Sequence, residues 1–434
     1  MVYKSKEAPG EGTPQIGLFL SGLAAIVFFG ITLGLGPNHS DLRYWIESSR
    51  SILSLEWVYI FVYLILDGKS LIILLGKKYS QYVKLMFLWS VIVFLSTFMS
   101  PFYRPNNPLV MIRLSETFTH ILFFIALWGS IKRYPIRLRY IYLAIISASA
   151  ISAGYIIYLG ISSPELLTHG NTVLTRSDQV PINTLVRRLG YQFEVSIVLL
   201  LVFFSHKSMQ IVIFLLATFV SLLICLGGRA SILGTLLATF IYVYLQKKDR
   251  LFSHFHFFLK ALPPILIALF LVYIACDDTA YFSKSLSHSL NSTTLDRFST
   301  GRFSVWSLVL EQMRGHWLLG TGPQSYFFYP DRDSRVIHAH NFLLQFVGEW
   351  GILGAGLAMI AIIWAVKYGS KIHRTLTVSE KKIHLGGGLL IVALVVTGLF
   401  GGIFFFAQTC AYLALAFAVW CGFGRYHSTT IDFS

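Results

Sequence analysis

Long apolar runs punctuate this chain, and nothing else in it constrains the fold so strongly. "IGLFLSGLAAIVFFGITLGLG" (16–36) and "LGGGLLIVALVVTGLF" (385–400) hold no charged residue at all. At 1.5 Å of helical rise per residue, about 20 such residues cross the roughly 30 Å of hydrocarbon in a bilayer. Only 13% of the 434 residues are charged, against about 25% in ordinary globular proteins. The reading is an all-α, polytopic membrane bundle, a single domain over 1–434.

Apolar runs set against polar breaks give twelve candidate spans: 16–36, 51–76, 84–100, 109–131, 140–160, 190–205, 209–227, 230–246, 257–276, 343–366, 386–403 and 406–424. The second is interrupted by "DGKS" (67–70), which marks either a kink or the end of a span followed by a surface segment. The leading "MVYKSKEAPGEGTPQ" is polar and rich in Gly and Pro, and is expected to be disordered. The apolar run behind it is too long for a signal-peptide core and lacks a small-residue cleavage pattern, so it reads as the first span.

Lys and Arg orient the bundle, because short cytoplasmic loops accumulate them. With the N-terminus inside, the inner connections hold Lys77, Lys78 and Lys84; Lys132, Arg133, Arg137 and Arg139; Lys207; Lys247, Lys248 and Arg250; and Lys367, Lys371, Arg374, Lys381 and Lys382. Short outer connections hold few. The net charge of +15 is thus mainly a topology signal, and no nucleic-acid partner is implied. Cys225, Cys276, Cys410 and Cys421 lie in or at the ends of spans without CxxC or metal-ligand spacing, so they read as small apolar residues. No GxGxxG or Walker-type loop is present, which argues against ATP or a dinucleotide as a cofactor.

The polar chemistry collects on the outer side. Two long outer loops are expected, 161–189 and 277–340. The larger holds "FSVWSLVLEQM", helical in period, with Phe303, Trp306, Val309 and Leu310 on one side, and the turn-like "GTGPQ". A loop of this length with its own apolar stripe is expected to fold onto the bundle and to carry function. Beyond it His338, His340 and Asn341 stand at the mouth of a span, followed by Glu349, Gly351 and Gly354. Imidazole accepts a proton near neutral pH, so a histidine is a candidate general base; a structural pair is the plainer alternative. An HxH pair with no third ligand cluster is a weak metal signal, so no metal is expected.

Arg229, Arg302, Arg187 and Arg188 all fall at outer ends of spans or in outer loops. Each reads either as an interface anchor or surface cation, or as part of a cluster whose planar guanidinium forks suit phosphate oxygens. Within the bilayer, Arg113, Glu116 and His120 share one side of the fourth span, as a buried ion pair or the lining of a polar cavity, and Glu194 has no evident partner. A secondary transporter or lipid-linked glycan flippase is the main rival class. It predicts inverted repeats and polar residues at mid-bilayer, whereas polar density here gathers at one surface.

Three stretches together resemble the O-antigen ligase and polymerase superfamily of bacterial membrane glycosyltransferases. They are "GGRASILG" (227–234), "GRFSVWSLVLEQMRGHWLLGTGP" (301–323) and "HNFLLQFVGEWGILG" (340–354). The last is similar to the ligase signature of His-Asn, nine residues, then Gly-x-x-Gly, here His340, Asn341, Gly351 and Gly354. The signature often continues with Thr, whereas Ala355 and Gly356 follow here, so an O-antigen polymerase and a protein O-oligosaccharyltransferase stay open beside a ligase. The resemblance implies metal-independent, inverting glycosyl transfer at the outer face of the bacterial inner membrane. The donor would be a glycan on undecaprenyl pyrophosphate and the acceptor a sugar hydroxyl of lipid A–core. His340 would be the general base. Arg229, Arg302, Arg187 and Arg188 would bind pyrophosphate, with His338 and Asn341 in support. Besides membrane lipids, no cofactor or further partner is implied.

The alternation of basic loops predicts an even number of spans with both termini cytoplasmic. Reporter fusions at Lys371 and Ser334 should report inside and outside respectively. The same side for both would refute the orientation.

Overall fold

The computed structural model describes residues 14–34, 42–77, 80–102, 108–134, 136–162, 186–203, 209–226, 228–245, 262–264, 266–267, 301–331, 336 and 338–423. Among them every regular element is helical. The bundle helices are α1 (Pro14–Leu33), α2 (Leu42–Lys77), α3 (Ser80–Phe98), α4 (Pro108–Arg133), α5 (Leu138–Ser162), α6 (Val186–Phe203), α7 (Met209–Cys225) and α8 (Arg229–Leu245). There follow a short α9 (Arg302–Gln312), a 3-10 turn (Ser325–Phe328), α10 (Phe342–Thr375), α11 (Val378–Phe400) and α12 (Ala407–Gly422). Six helices among the described residues are long and apolar enough to cross a membrane, and four apolar ones are shorter. Most of the expected span 257–276, most of the loop 161–189 and the part of the loop 277–340 before Gly301 lie outside the described residues.

Local chemistry sets several boundaries. Pro14 and Pro108 open α1 and α4 at the first helical position, where the missing N–H had no intrahelical acceptor to lose. Asn341 caps α10, its side chain accepting from the Leu344 N–H at 3.1 Å. Thr377 and Glu380 form a reciprocal capping box at α11. "DGKS" proves to be a kink inside one helix: Asp67 leaves helical geometry and pairs with Arg133 at 2.9 Å.

Cross-helix pairs fix relative direction. Glu56 meets His120 and Asp67 meets Arg133, so α2 and α4 run parallel. Arg113 bonds the Phe404 carbonyl and Trp128 that of Cys421, so α4 also runs parallel to the segment that includes α12. Glu194 meets Thr397, and Gly386 abuts Phe203, so α6 and α11 are antiparallel. A central core joins α1, α2, α4–α8, α11 and α12. Alternate helices thus share a direction, as a chain threading back and forth through a bilayer requires.

The break in α10 organises the outer end. Gly351 leaves the helix at φ 65°, ψ −176°, a region that essentially only Gly populates. An unbroken helix would bond the Gly348 carbonyl to Ile352 and that of Glu349 to Leu353. Instead, the Gly348 carbonyl accepts from the Thr321 N–H at 2.8 Å, and that of Glu349 from the Gly322 N–H at 3.0 Å. Ile352 and Leu353 donate to the carbonyls of Trp317 and Leu318 at 2.8 and 3.3 Å. The segment 317–322 thereby replaces helix bonding for these two carbonyls and two N–H groups. Gly351 serves both this break and the close approach of the Leu318–Leu319 backbone, which a Cβ would block. Gly354 does sit against a neighbour, with Ile92 of α3 at 3.4 Å from where a Cβ would stand.

The stripe expected on α9 is rotated. Val305, Val309 and Met313 are buried, whereas Phe303 and Leu310 are 45% and 42% exposed. Apolar residues cover so much of this helix that several faces satisfy the period, and docking chooses one. Trp306 stays at its edge and donates to the Ala339 carbonyl at 3.0 Å.

Gly351→Ala should cost about 2–4 kcal/mol, because a Cβ there clashes with the Leu318 carbonyl at a backbone angle closed to Ala. Gly356→Ala, with open space around its Cβ position, should be nearly neutral. Melting curves of the purified variants check both, and equal melting points would refute the break's structural role.

Candidate functional site

One end of the bundle holds a small cleft lined by Val309, Gln324, Ser325, Tyr326, Tyr329, His338, Ala339, Leu344, Gln345, Gly348, Glu349 and Phe405. α9, the 3-10 turn, the start of α10 and the loop between α11 and α12 each supply a wall. Thr321 ties three of these pieces together: its hydroxyl bonds Ser325 at 2.7 Å, Tyr329 at 3.0 Å and the Gly348 carbonyl at 3.0 Å. Burial pushes the Tyr329 phenol above its ordinary pKa, so it stays protonated at neutral pH.

The two histidines are brought together by backbone geometry. His340 adopts φ 51°, left-handed for a residue with a side chain, at a cost of order 1 kcal/mol. This turn sets the two rings 4.0 Å apart between centroids. It also lets the His340 N–H donate to His338 Nδ1 at 3.1 Å. A neutral His338 therefore carries its proton on Nε2 and presents a donor. His338 stacks on Phe405 at 4.6 Å and meets Phe406 edge-on at 5.8 Å. Gly402 abuts its imidazole so closely that no side chain fits between them.

Arg188, at the outer end of α6, is buried with its guanidinium 5.5 Å from the Phe406 ring centroid. Phe406 therefore bridges Arg188 and His338. Arg229 opens α8 beside it: a Cβ at Gly190 would touch the Ser231 hydroxyl at 3.5 Å, so the two helix starts pack together. Arg302 opens α9, one turn before the Trp306 that bonds the Ala339 carbonyl between the histidines. Arg188 thus reaches the histidine segment through Phe406, while Arg229 and Arg302 stand at the starts of α8 and α9. Arg187 begins α6 too, but its side chain lies outside the described residues. Asn341 is a helix cap, one of the two roles its position allowed.

Below the cleft lies a charged group that the sequence reading divided. Arg113 pairs with Glu116 at 3.2 Å, as expected, but its Nε also approaches the Glu349 carboxylate at 3.9 Å. It donates to the Phe404 carbonyl and stands 5.9 Å from the Phe405 ring centroid. The fourth span thereby reaches the cleft, a link without signature because residues 113 and 349 are far apart in sequence. His120 pairs with Glu56 at 2.9 Å and is a separate buried pair. Glu194 finds Thr397 at 2.6 Å. Gln324, Tyr326, Tyr329 and Phe405 were not anticipated. The only cue to them was the "GTGP" turn, whose backbone docks on α10.

A helical membrane protein with His338 and a buried Glu349 lining one cleft, His340 against His338 and Arg188 behind Phe406, is the class that these features define. Residues 212–359 match the family model described as O-antigen ligase. The match supports membership of the O-antigen ligase superfamily, whose members are glycosyltransferase-like ligases and polymerases. It spans α7 through the first half of α10 and so includes Arg229, Arg302, both histidines and Glu349. No curated protein matches the chain.

Gly402→Ala should push the His338 ring out of its slot. Histidine-directed acylation read by mass spectrometry should then modify His338 several-fold faster than in the parent. Equal labelling would contradict the contact.

Proposed function

We propose that the chain is an O-antigen ligase, which transfers a glycan from undecaprenyl pyrophosphate to a sugar hydroxyl of lipid A–core. The carrying observation is the histidine pair at the mouth of α10, with Arg188 linked to His338 through the Phe406 ring; Arg229 and Arg302 are assigned here to the same site. His340 takes the proton from the acceptor hydroxyl. The hydroxyl oxygen attacks the anomeric carbon from the face opposite the pyrophosphate, the bond to pyrophosphate breaks, and configuration inverts. Because His338 Nδ1 is occupied by the His340 N–H, the base role falls to His340 and His338 supports it as a donor. The arginines take up the charge that develops on the leaving group. Pyrophosphate leaves readily, so the proposed reaction calls for no metal.

The proposed setting is the bacterial inner membrane, with the cleft on the periplasmic side, 161–189 and 277–340 as periplasmic loops, and twelve spans in one domain. Helix direction supports the count. α8 and α10 each run antiparallel to α11. Leu245 therefore ends at the inner end, whereas α9 begins at the outer. The chain passes from one end to the other between them, where the sequence offers 257–276.

The test uses purified protein with lipid-linked donor and lipid A–core. His340→Ala should lower transfer about 10²–10⁴-fold while donor binding persists, and His338→Ala should cost less. Arg229→Ala and Arg302→Ala should each lower donor turnover about 10²–10³-fold, with only partial rescue by Lys, which lacks the planar fork. Chelator should change nothing. Full activity of His340→Ala, or chelator loss restored by a divalent ion, would overturn the mechanism. Polymer-bearing lipopolysaccharide in a ligase-deficient, polymerase-competent bacterium distinguishes ligase from polymerase.

A further inference from the structure

No arginine is among the residues that line the cleft, whereas Glu349 forms part of its wall from α10. Glu349 is 5% exposed. Its Oε1 accepts from Gln345 at 3.1 Å, and among the described residues its Oε2 has no hydrogen-bond partner, standing 3.9 Å from Arg113 Nε. Arg113 is already matched by Glu116 at 3.2 Å, so Glu349 is the second carboxyl group on one guanidinium, and the Gln324 backbone N–H also donates to it. Burying a carboxyl group with an open oxygen is costly.

The backbone holding Glu349 is fixed. Its carbonyl accepts from Ser96 Oγ at 2.6 Å and from the Gly322 N–H at 3.0 Å. The open oxygen is therefore aimed by the helix break and by Arg113 together. Around it stand the Gln345 amide, the Tyr326 and Tyr329 rings and Phe405, the last shared between Arg113 and His338. A carboxylate acceptor, an amide and aromatic faces suit a neutral polyol.

We propose that Glu349 binds a hydroxyl of the acceptor sugar and so sets which ring position is presented to the histidines, with Arg113 as its positioning residue. This rests on the proposed transfer reaction and adds the acceptor's seat to it. The two substrates are thereby separated, with pyrophosphate at the arginines and the acceptor ring at Glu349.

The experiment uses the full chain in nanodiscs. A panel of methyl hexopyranosides and their monodeoxy derivatives serves as probe, read by saturation-transfer NMR. Glu349→Gln should weaken glycoside binding about 10–100-fold, the range for a hydrogen bond to a charged group. One deoxy derivative should lose affinity in the parent but little further in the variant. In the transfer assay, acceptor KM should rise in the same range while donor KM holds. Binding unchanged in Glu349→Gln, with no deoxy position coupled to it, would overturn the proposal. His340→Ala separates the two readings, since it should stop transfer and keep glycoside binding. If transfer is absent in every form while binding still depends on Glu349, the reaction is wrong and the sugar seat stands. A diazirine-bearing methyl glycoside on the parent protein guards against a variant that fails to fold. It should label 324–329 or 344–349, and labelling confined to other segments would refute the seat.

Discussion

One break in one helix governs the outer end of this molecule. At Gly351 the hydrogen-bond ladder of α10 opens, and the segment 317–322 closes it with its own backbone. Buried amides and carbonyls cannot be left open in a membrane protein, where each lost bond costs several kcal/mol. The loop is thus held by the same bonds that complete the helix. Ser96 and Trp89 of α3 add contacts to the Glu349 and Gly354 carbonyls. Thr321, fixed in this way, positions Ser325 and Tyr329. The cleft is a consequence of backbone bookkeeping at this junction.

Electrostatics then assigns its regions. Arg188 is nine-tenths or more buried against an aromatic ring, and Arg113 sits between two carboxylates. A guanidinium tolerates such places better than an ammonium, because its charge is spread over a plane and weakly hydrated. Phe405 and Phe406 link the cationic and imidazole groups by their faces and edges. The proposed chemistry needs a base and a concentration of positive charge near each other without direct pairing. Aromatic spacers provide that separation.

The sequence legibly carried the helices, because hydrocarbon imposes a length and polarity that twenty residues alone display. It also carried the neighbouring histidines His338 and His340, since these lie in one short motif. It did not carry the buried face of α9. Phe303, Val305, Trp306, Val309 and Leu310 leave the helical period degenerate, and only contact with Tyr329 and Gly348 resolved it. The kink at Asp67 was one of two open readings, and the ion pair with Arg133 shows which is realised.

What the sequence by itself determined is partition: which segments are apolar enough to enter a bilayer, where the basic residues gather, and which polar residues stand beside the apolar runs. These follow from free energies of transfer, which act residue by residue along the chain. Only the tertiary structure decided that Glu349 faces the cleft beside His338, that Arg113 reaches it from another helix, and that Gly351 breaks its helix. Each depends on what a distant segment places opposite, and pairwise contacts across hundreds of residues leave no local period to read.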